Sequence, residues 1–225
     1  MQGEKIAGGQ ISKLIENHQR PKAKPSPFLP SNEYQGDLTG SVIQCTTQSR
    51  KRHMSKIYKW EERKFNFYLT AEMYMPAVER VRGTPARVED AISVFPGELL
   101  TKKKSEDVWS IQENIGHLLS LEPLWAERLD QFMERLPELK AWDETNRSTW
   151  EADYNSKPID VILGEFRDTR KKLVDRLDAL DDSLVEQTAL HPRLKTPMRT
   201  IDLVYFVSEH DDYHLAQITR LKREL

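Results

Sequence analysis

Four separated stretches of this chain repeat apolar residues at a period close to that of an α-helix, and none shows a convincing period of two. The pattern confines the chain to packed helices, because each apolar stripe must be covered by another stripe. The first stripe holds Trp60, Phe67, Ala71, Tyr74, Val78 and Val81. It predicts a long helix kinked at Pro76 and closed by Gly83 and Pro85. Thr84-Pro85 reads as the N-cap and first-turn proline of a short helix to about Val94. Ser110 and Glu113 have capping-box spacing, so a second long helix is expected from there to about Leu136, with Ile111, Ile115, Leu118, Trp125, Leu129 and Phe132 on its stripe. A third is expected from about Pro158 to Leu180, carrying Ile162, Phe166, Leu173 and Leu177, and a fourth from about Thr200 to the C-terminus, carrying Leu203, Val207, Ile218 and Leu221. The polar connection Pro137 to Lys157 contains Trp142, Trp150 and Tyr154, which are expected to pin it to the body. The expected class is all-α, a four-helix bundle.

Composition divides the chain. Residues 1–56 hold 15 hydrophobic residues, and nine Lys+Arg against four Asp+Glu leave that stretch at +5. So little apolar surface does not offset the entropy of ordering, and a basic, Pro-containing, disordered extension is expected, with at most a short helix over Gln10–His18. Met54 stands just before the change, and a start there is an alternative expectation. Residues 57–225 carry 25 Lys+Arg and 32 Asp+Glu, an acidic body expected to form the bundle. Its net charge of −7 argues against nucleic acid as a partner, and the run Arg50-Lys51-Arg52 reads as a solvated tail. The longest apolar run, Leu203 to Val207, is far shorter than the roughly 20 residues of a membrane span. The single cysteine, Cys45, excludes an intrachain disulfide, a Cys-based zinc cluster and a CxxC pair, and a reducing cytoplasm is expected.

The chemistry concentrates in the fourth helix. His210 and His214 fall at the centre of its apolar stripe, one turn apart, where two imidazoles can share one ion. Two buried histidines hydrogen-bonded to neighbours are the plainer alternative. His117 lies on the flank of the second stripe, and three histidines from two helices would give a three-nitrogen site with an open position for water or substrate. Such a donor set suits a divalent metal, Zn²⁺ or Ni²⁺ first, with Fe²⁺ or Mn²⁺ as alternatives. Glu113, one turn before His117, is a candidate second ligand-orienting acceptor or general base beside its capping role. Arg170 lies within the third apolar face and needs an acceptor, either a bundle carboxylate such as Glu113 or Glu209 or a substrate anion near the metal. His191 is a candidate cap or fourth ligand, and Asp211 and Asp212 read as flank and outward residues in solvent or salt bridges.

These residues resemble a known family. Trp109-Ser110-Ile111-Gln112-Glu113-Asn114-Ile115-Gly116-His117-Leu118, then His191-Pro192-Arg193-Leu194, then Glu209-His210-Asp211-Asp212-Tyr213-His214-Leu215-Ala216-Gln217-Ile218 are similar to signature segments of the DinB/YfiT-like metalloenzymes. The most specific part is the first segment taken together with the last. The resemblance covers about residues 57–225 and implies an up-down-down-up four-helix bundle with a divalent metal on His117, His210 and His214. Pro137 to Lys157 fits the crossing connection of that topology, and residues 1–56 fall outside the pattern. Family activities include thiol S-transfer with bacillithiol or mycothiol, mycothiol-dependent maleylpyruvate isomerisation, and steps of thiol-histidine biosynthesis.

Two functions of different class follow. As an enzyme, the chain would use its metal to lower the pKa of a small thiol cosubstrate or of water and present the nucleophile to an electrophile, giving a thiol transferase or a hydrolase. The bundle has no cysteine, so any sulfur must come from the cosubstrate. As a stress-induced metal-binding or interaction protein, it would use the ion only to sense or to stabilise. The expected partners are a small-molecule substrate, with a low-molecular-weight thiol and a homodimer left open. No membrane is expected among them.

Overall fold

The computed structural model describes residues 57–225. The disorder expected of residues 1–56, and the helix over Gln10–His18, lie outside the described residues. In chain order the helices are α1 (Tyr74–Arg82), α2 (Thr84–Ile92), α3 (Ile111–Met133), α4 (Arg147–Glu151), α5 (Ile159–Asp178), α6 (Asp182–Val185) and α7 (Thr200–Glu224), with strands β1 (Thr188–His191) and β2 (Thr196–Arg199) between the last two. Among the described residues no helix is long and apolar enough to cross a membrane.

Hydrogen bonds between helices fix their directions. Gln112, at the start of α3, donates to the carbonyls of Tyr154 and Lys157 just before α5, while Arg176, near the end of α5, pairs with Asp130 near the end of α3. The two helices therefore run parallel, and residues 134–158 must travel back along the bundle between them. Tyr74, opening α1, donates through its hydroxyl to Leu177 at the end of α5, so α1 is antiparallel to α5. His214, late in α7, meets Asn114, early in α3, so α7 is antiparallel to α3. Up, down, down, up is the result for α1, α3, α5 and α7. The four stripes close the core: Val78, Val81, Leu129, Phe132, Leu173, Leu177, Val204 and Val207 are buried in one cluster, and Ile111, Ile115, Leu118, Ile162, Phe166, Ile218 and Leu221 in a second.

The first helix is shorter than its stripe predicts. Trp60–Glu62 is a single 3₁₀ turn, and α1 begins only at Tyr74. In between, Phe65, Phe67 and Leu69 turn inward while Asn66 and Tyr68 face solvent, an alternation of period two that belongs to extended chain. The helical phase of Trp60 and Phe67 was thus coincidental. Pro76 causes no kink, because it occupies the first turn of α1, where its missing amide would have had no partner. Thr84 stands inside α2 rather than capping it, and its hydroxyl donates to Asp211 at 2.7 Å. The short antiparallel hairpin, with Ala189 opposite Met198, was not expected from the sequence.

At Gly116 the returning segment lies close against α3. A methyl group at this position would overlap the ring of Tyr154, which is buried and held by a 2.8 Å bond between its hydroxyl and Ser120. Gly116→Ala is therefore expected to lower stability by about 1–3 kcal/mol in urea denaturation despite alanine's better helix propensity. A neutral or stabilising result would show that the returning segment yields easily.

Candidate metal centre

The reciprocal cap at Ser110, in which its hydroxyl accepts from the Glu113 amide at 3.0 Å and the Glu113 carboxylate accepts from the Ser110 amide at 2.7 Å, starts α3 at a set position. That places His117 two turns in, facing the middle of α7. His117, His210 and His214 are all buried, and their candidate ligand nitrogens lie within 4.8 Å of one another. Small ring movements from this spacing reach a shared ion.

Two of the imidazoles have their Nδ1 atoms held by neighbours, and in one the neighbour sets the tautomer. Asn114 donates its amide to the Ser110 carbonyl at 2.8 Å, which turns its oxygen toward Nδ1 of His214 at 2.9 Å. A carbonyl oxygen only accepts, so the proton of His214 sits on Nδ1 and the lone pair on Nε2. Thr149, in α4, meets Nδ1 of His117 at 2.9 Å. Nδ1 of His210 is buried without a partner among the described residues, the kind of orphaned atom that an ion or a bound group would satisfy. Burial pushes His117 down to about 3. Burial first, and then the neighbouring imidazoles, hold His210 and His214 well below the usual histidine range, with Arg170 and Arg193 adding to the effect on His210. All three are neutral at physiological pH, as metal ligands must be.

The histidines form the floor of a pocket of about 590 Å³ walled by Trp60, Trp109, Trp150 and Tyr213. The Trp109 ring lies 4.5 Å from that of His117, and Trp60 meets His210 edge-on at 5.0 Å. The volume suits a small organic molecule, and the aromatic walls supply apolar contact at low entropic cost. Asn146 and Arg220 reach the same pocket, each with a buried polar atom lacking a partner.

The other sequence-selected residues lie elsewhere. Glu113 does not line the pocket; besides the cap, its second oxygen accepts from Lys103 at 3.2 Å. Arg170 is interior, as its phase requires, but its partners are Glu122 and Asp211 rather than Glu113 or Glu209. Nε and Nη2 donate to Glu122, Nη1 and Nη2 to Asp211, and Nη1 also to the Val81 carbonyl, so all five of its N–H groups are engaged. Two acids hold Arg170 firmly charged, whereas Glu122, sharing one cation with Asp211, is pushed up by burial. Asp211 is fully buried rather than on a flank, because α7 is covered on several sides; Asp212 remains at the surface with Arg80 and Arg87. Glu209 pairs with Arg63 and Arg80. His191 is buried beside Arg128 and does not join the three-histidine group. Asn114 and Thr149 were missed. The first has a legible signal, since it lies three residues before His117 on a nearby face, but Thr149 sits in a connection with no periodicity.

Comparison with known proteins fits this geometry. A family model described as the DinB superfamily matches residues 80–218, a span that holds all three histidines. Among solved structures, YfiT from Bacillus subtilis, titled "a probable metal-dependent hydrolase with an unusual four-helix bundle topology", aligns with a TM-score of 0.62 at 18% identity, covering 72% of this chain and 93% of that one. An uncharacterised protein from Clostridium difficile 630 aligns with a TM-score of 0.55 at 11% identity, covering 69% and 98%. At these identities the likeness is one of fold. No curated protein matches. Because the family model spans more than half of the sequence and the helices take the up-down-down-up order, the chain belongs to the DinB superfamily.

Proposed function

We propose that His117, His210 and His214 hold one divalent metal ion and that the protein is a metal-dependent enzyme acting on a small molecule. The observation that carries this reading is the convergence of three neutral imidazoles on the floor of an aromatic-walled pocket. YfiT's description as "a probable metal-dependent hydrolase" supports it. Zn²⁺ and Ni²⁺ suit the all-nitrogen donor set best, with Fe²⁺ and Mn²⁺ as alternatives. When bound, the ion supplies Lewis acidity that lowers the pKa of a small nucleophile. His117 and His214 present Nε2 because Thr149 and Asn114 occupy their Nδ1 atoms. Trp60, Trp109 and Trp150 hold apolar parts of the substrate and exclude water. Glu113 and Arg170 act as positioning residues: the first fixes the start of α3, and the second locks α5 to α3 and α7 through Glu122 and Asp211.

The nucleophile is water in the hydrolase reading and a thiol cosubstrate in the transferase reading. Among the described residues no carboxylate joins the three-histidine group itself, but Glu61 and Asp107 line the same pocket. They are the groups that would take a proton from a bound water in the hydrolase reading, whereas a thiol, with its lower intrinsic pKa, needs that help less. Metal analysis of protein purified without a polyhistidine tag should find one ion per chain. Calorimetric titration should show affinity reduced at least about 100-fold in His214→Ala, and about 10–100-fold in Asn114→Ala through loss of ring orientation, with helical content retained in both. The loaded protein would then be assayed against thiol–electrophile pairs and against activated esters and amides. Unchanged stoichiometric binding in both His210→Ala and His214→Ala would remove the site. A loaded protein inert in both assays would leave a metal-stabilised binding protein.

A further inference from the structure

Beside His210 lies a second and smaller cavity. Arg128, Trp142, His191 and Arg193 line it together with Trp60 and His210, and it offers about 20 Å³ to a water-sized guest, somewhat more than the roughly 10–15 Å³ that a single water occupies by the same measure. Its polar lining is unusual in sign. Nδ1 of His191 accepts from the backbone amides of Arg193 and Leu194, both at 3.2 Å. The other ring nitrogen, Nε2, faces Nη1 of Arg128 at 3.3 Å, and a neutral ring has one acceptor nitrogen, so it cannot accept from the amides and from the guanidinium together. On one side of the ring two donors oppose each other with no acceptor between them.

Apart from the ring of His210, which belongs to the three-histidine group, the remaining polar groups add donors. Nε1 of Trp142 and Nη2 of Arg193 are buried without partners. Arg128 is 1% exposed and spends Nε and Nη2 on the Lys140 carbonyl. Arg193 spends Nη1 on the Glu61 carbonyl. Among the described residues neither arginine makes an ion pair with a carboxylate, although Glu61 and Glu144 act on Arg193 from a distance. A buried guanidinium without a counter-charge is costly, as the engagement of Arg170 by two acids illustrates.

We propose that this cavity is a receptor for one anionic acceptor atom, supplied either by a halide-sized ion or by a carboxylate oxygen of a substrate reaching inward past Trp60 and Trp142. A single acceptor there takes hydrogen bonds from Arg128, His191, Trp142 and Arg193 and neutralises the arginine pair. Trp60, Trp142 and His210 line both this cavity and the larger pocket, so the bound charge would lie next to the three-histidine group. The inference stands on donor geometry and does not depend on the metal being catalytic.

The test uses the full chain in metal-free form. Thermal unfolding would be followed against chloride, bromide and formate at constant ionic strength, with a bulky organic sulfonate as the balancing salt. Binding by the folded state raises Tm by roughly 3–5 °C for each tenfold increase in a saturating anion. The rise should vanish in Arg193→Gln and shrink in Trp142→Phe, which removes only the indole N–H. Both side chains are partly exposed, so these variants are expected to fold, and they are preferred to Arg128→Gln because Arg128 is fully buried. Crystals grown in bromide should show anomalous scattering between Arg128 and His191. Response to halides assigns the site to a free ion, and response to formate alone assigns it to a carboxylate oxygen. Water in the cavity, with Tm independent of all three anions, would overturn the proposal.

Discussion

Replacing Arg170 with methionine is expected to cost about 3–5 kcal/mol, one of the largest losses available to a single change outside the apolar core. Methionine fills similar volume, so the loss is not a cavity effect; it comes from Glu122 and Asp211, both without exposed side-chain surface, being left to repel each other in a medium that solvates neither. The decisive comparison is with Arg170→Met combined with Glu122→Leu and Asp211→Leu. Removing all three charges should recover most of the stability, since the penalty lies in the uncompensated carboxylates rather than in the missing cation. Urea midpoints of the two variants test this. A triple variant no more stable than the single one would mean that Arg170 contributes mainly through its packing on Phe166, over whose ring it lies at 5.0 Å.

Acid is expected to unfold the metal-free protein over a narrow range. His117 and His191 are pushed down to about 3, and His210 and His214 lie well below the usual histidine value. In the unfolded chain each would titrate near 6.5. Above that value both states are neutral and pH has no leverage through these groups. As pH falls below it, the unfolded state takes up protons that the folded state refuses, and each buried histidine costs about 2 kcal/mol by pH 5. Four of them amount to about 8 kcal/mol, comparable with the roughly 5–15 kcal/mol that holds a typical domain together. The cooperative transition, followed by near-ultraviolet circular dichroism, should therefore come between about pH 6 and 5 at room temperature, with several protons taken up. An ion bound only by the folded form moves it to lower pH. A denaturation midpoint unchanged from pH 7 to 5 would show that the imidazoles remain accessible to solvent.

What could be read in the sequence depended on whether a residue's neighbours were close in sequence. His210 and His214 are one helical turn apart, so their shared face follows from helix geometry, and the phase of His117 on α3 adds the third nitrogen. The same arithmetic put Arg170 inside the bundle. It did not identify Glu122 and Asp211 as its partners, because phase gives the face of a helix and not which of several acids meets it across an interface. Asp211 was misplaced for a related reason: α7 is packed against more than one neighbour, so its polar side is covered as well. The segment around Phe65, Phe67 and Leu69 was read with the wrong period because six well-spaced apolar residues outweighed a local alternation of three. The hairpin of two four-residue strands was too short to show one.

The parallel course of α3 and α5 has a consequence for how the chain reaches its native state. The segment that returns between them carries Thr149, which steadies His117 across 32 residues, and Tyr154, which seats on Gly116. Asn114 meets its own histidine across 100 residues. Contacts that distant in sequence are costly to close and tend to form late. A full-length but partly folded chain therefore has the HxxxH turn of α7 but no third nitrogen and no oriented ring to complete a site. On the proposed site, metal capture would be tied to completion of the whole bundle, and a chain that stalls before its return segment docks would be left with two helical histidines and only a weak hold on any ion.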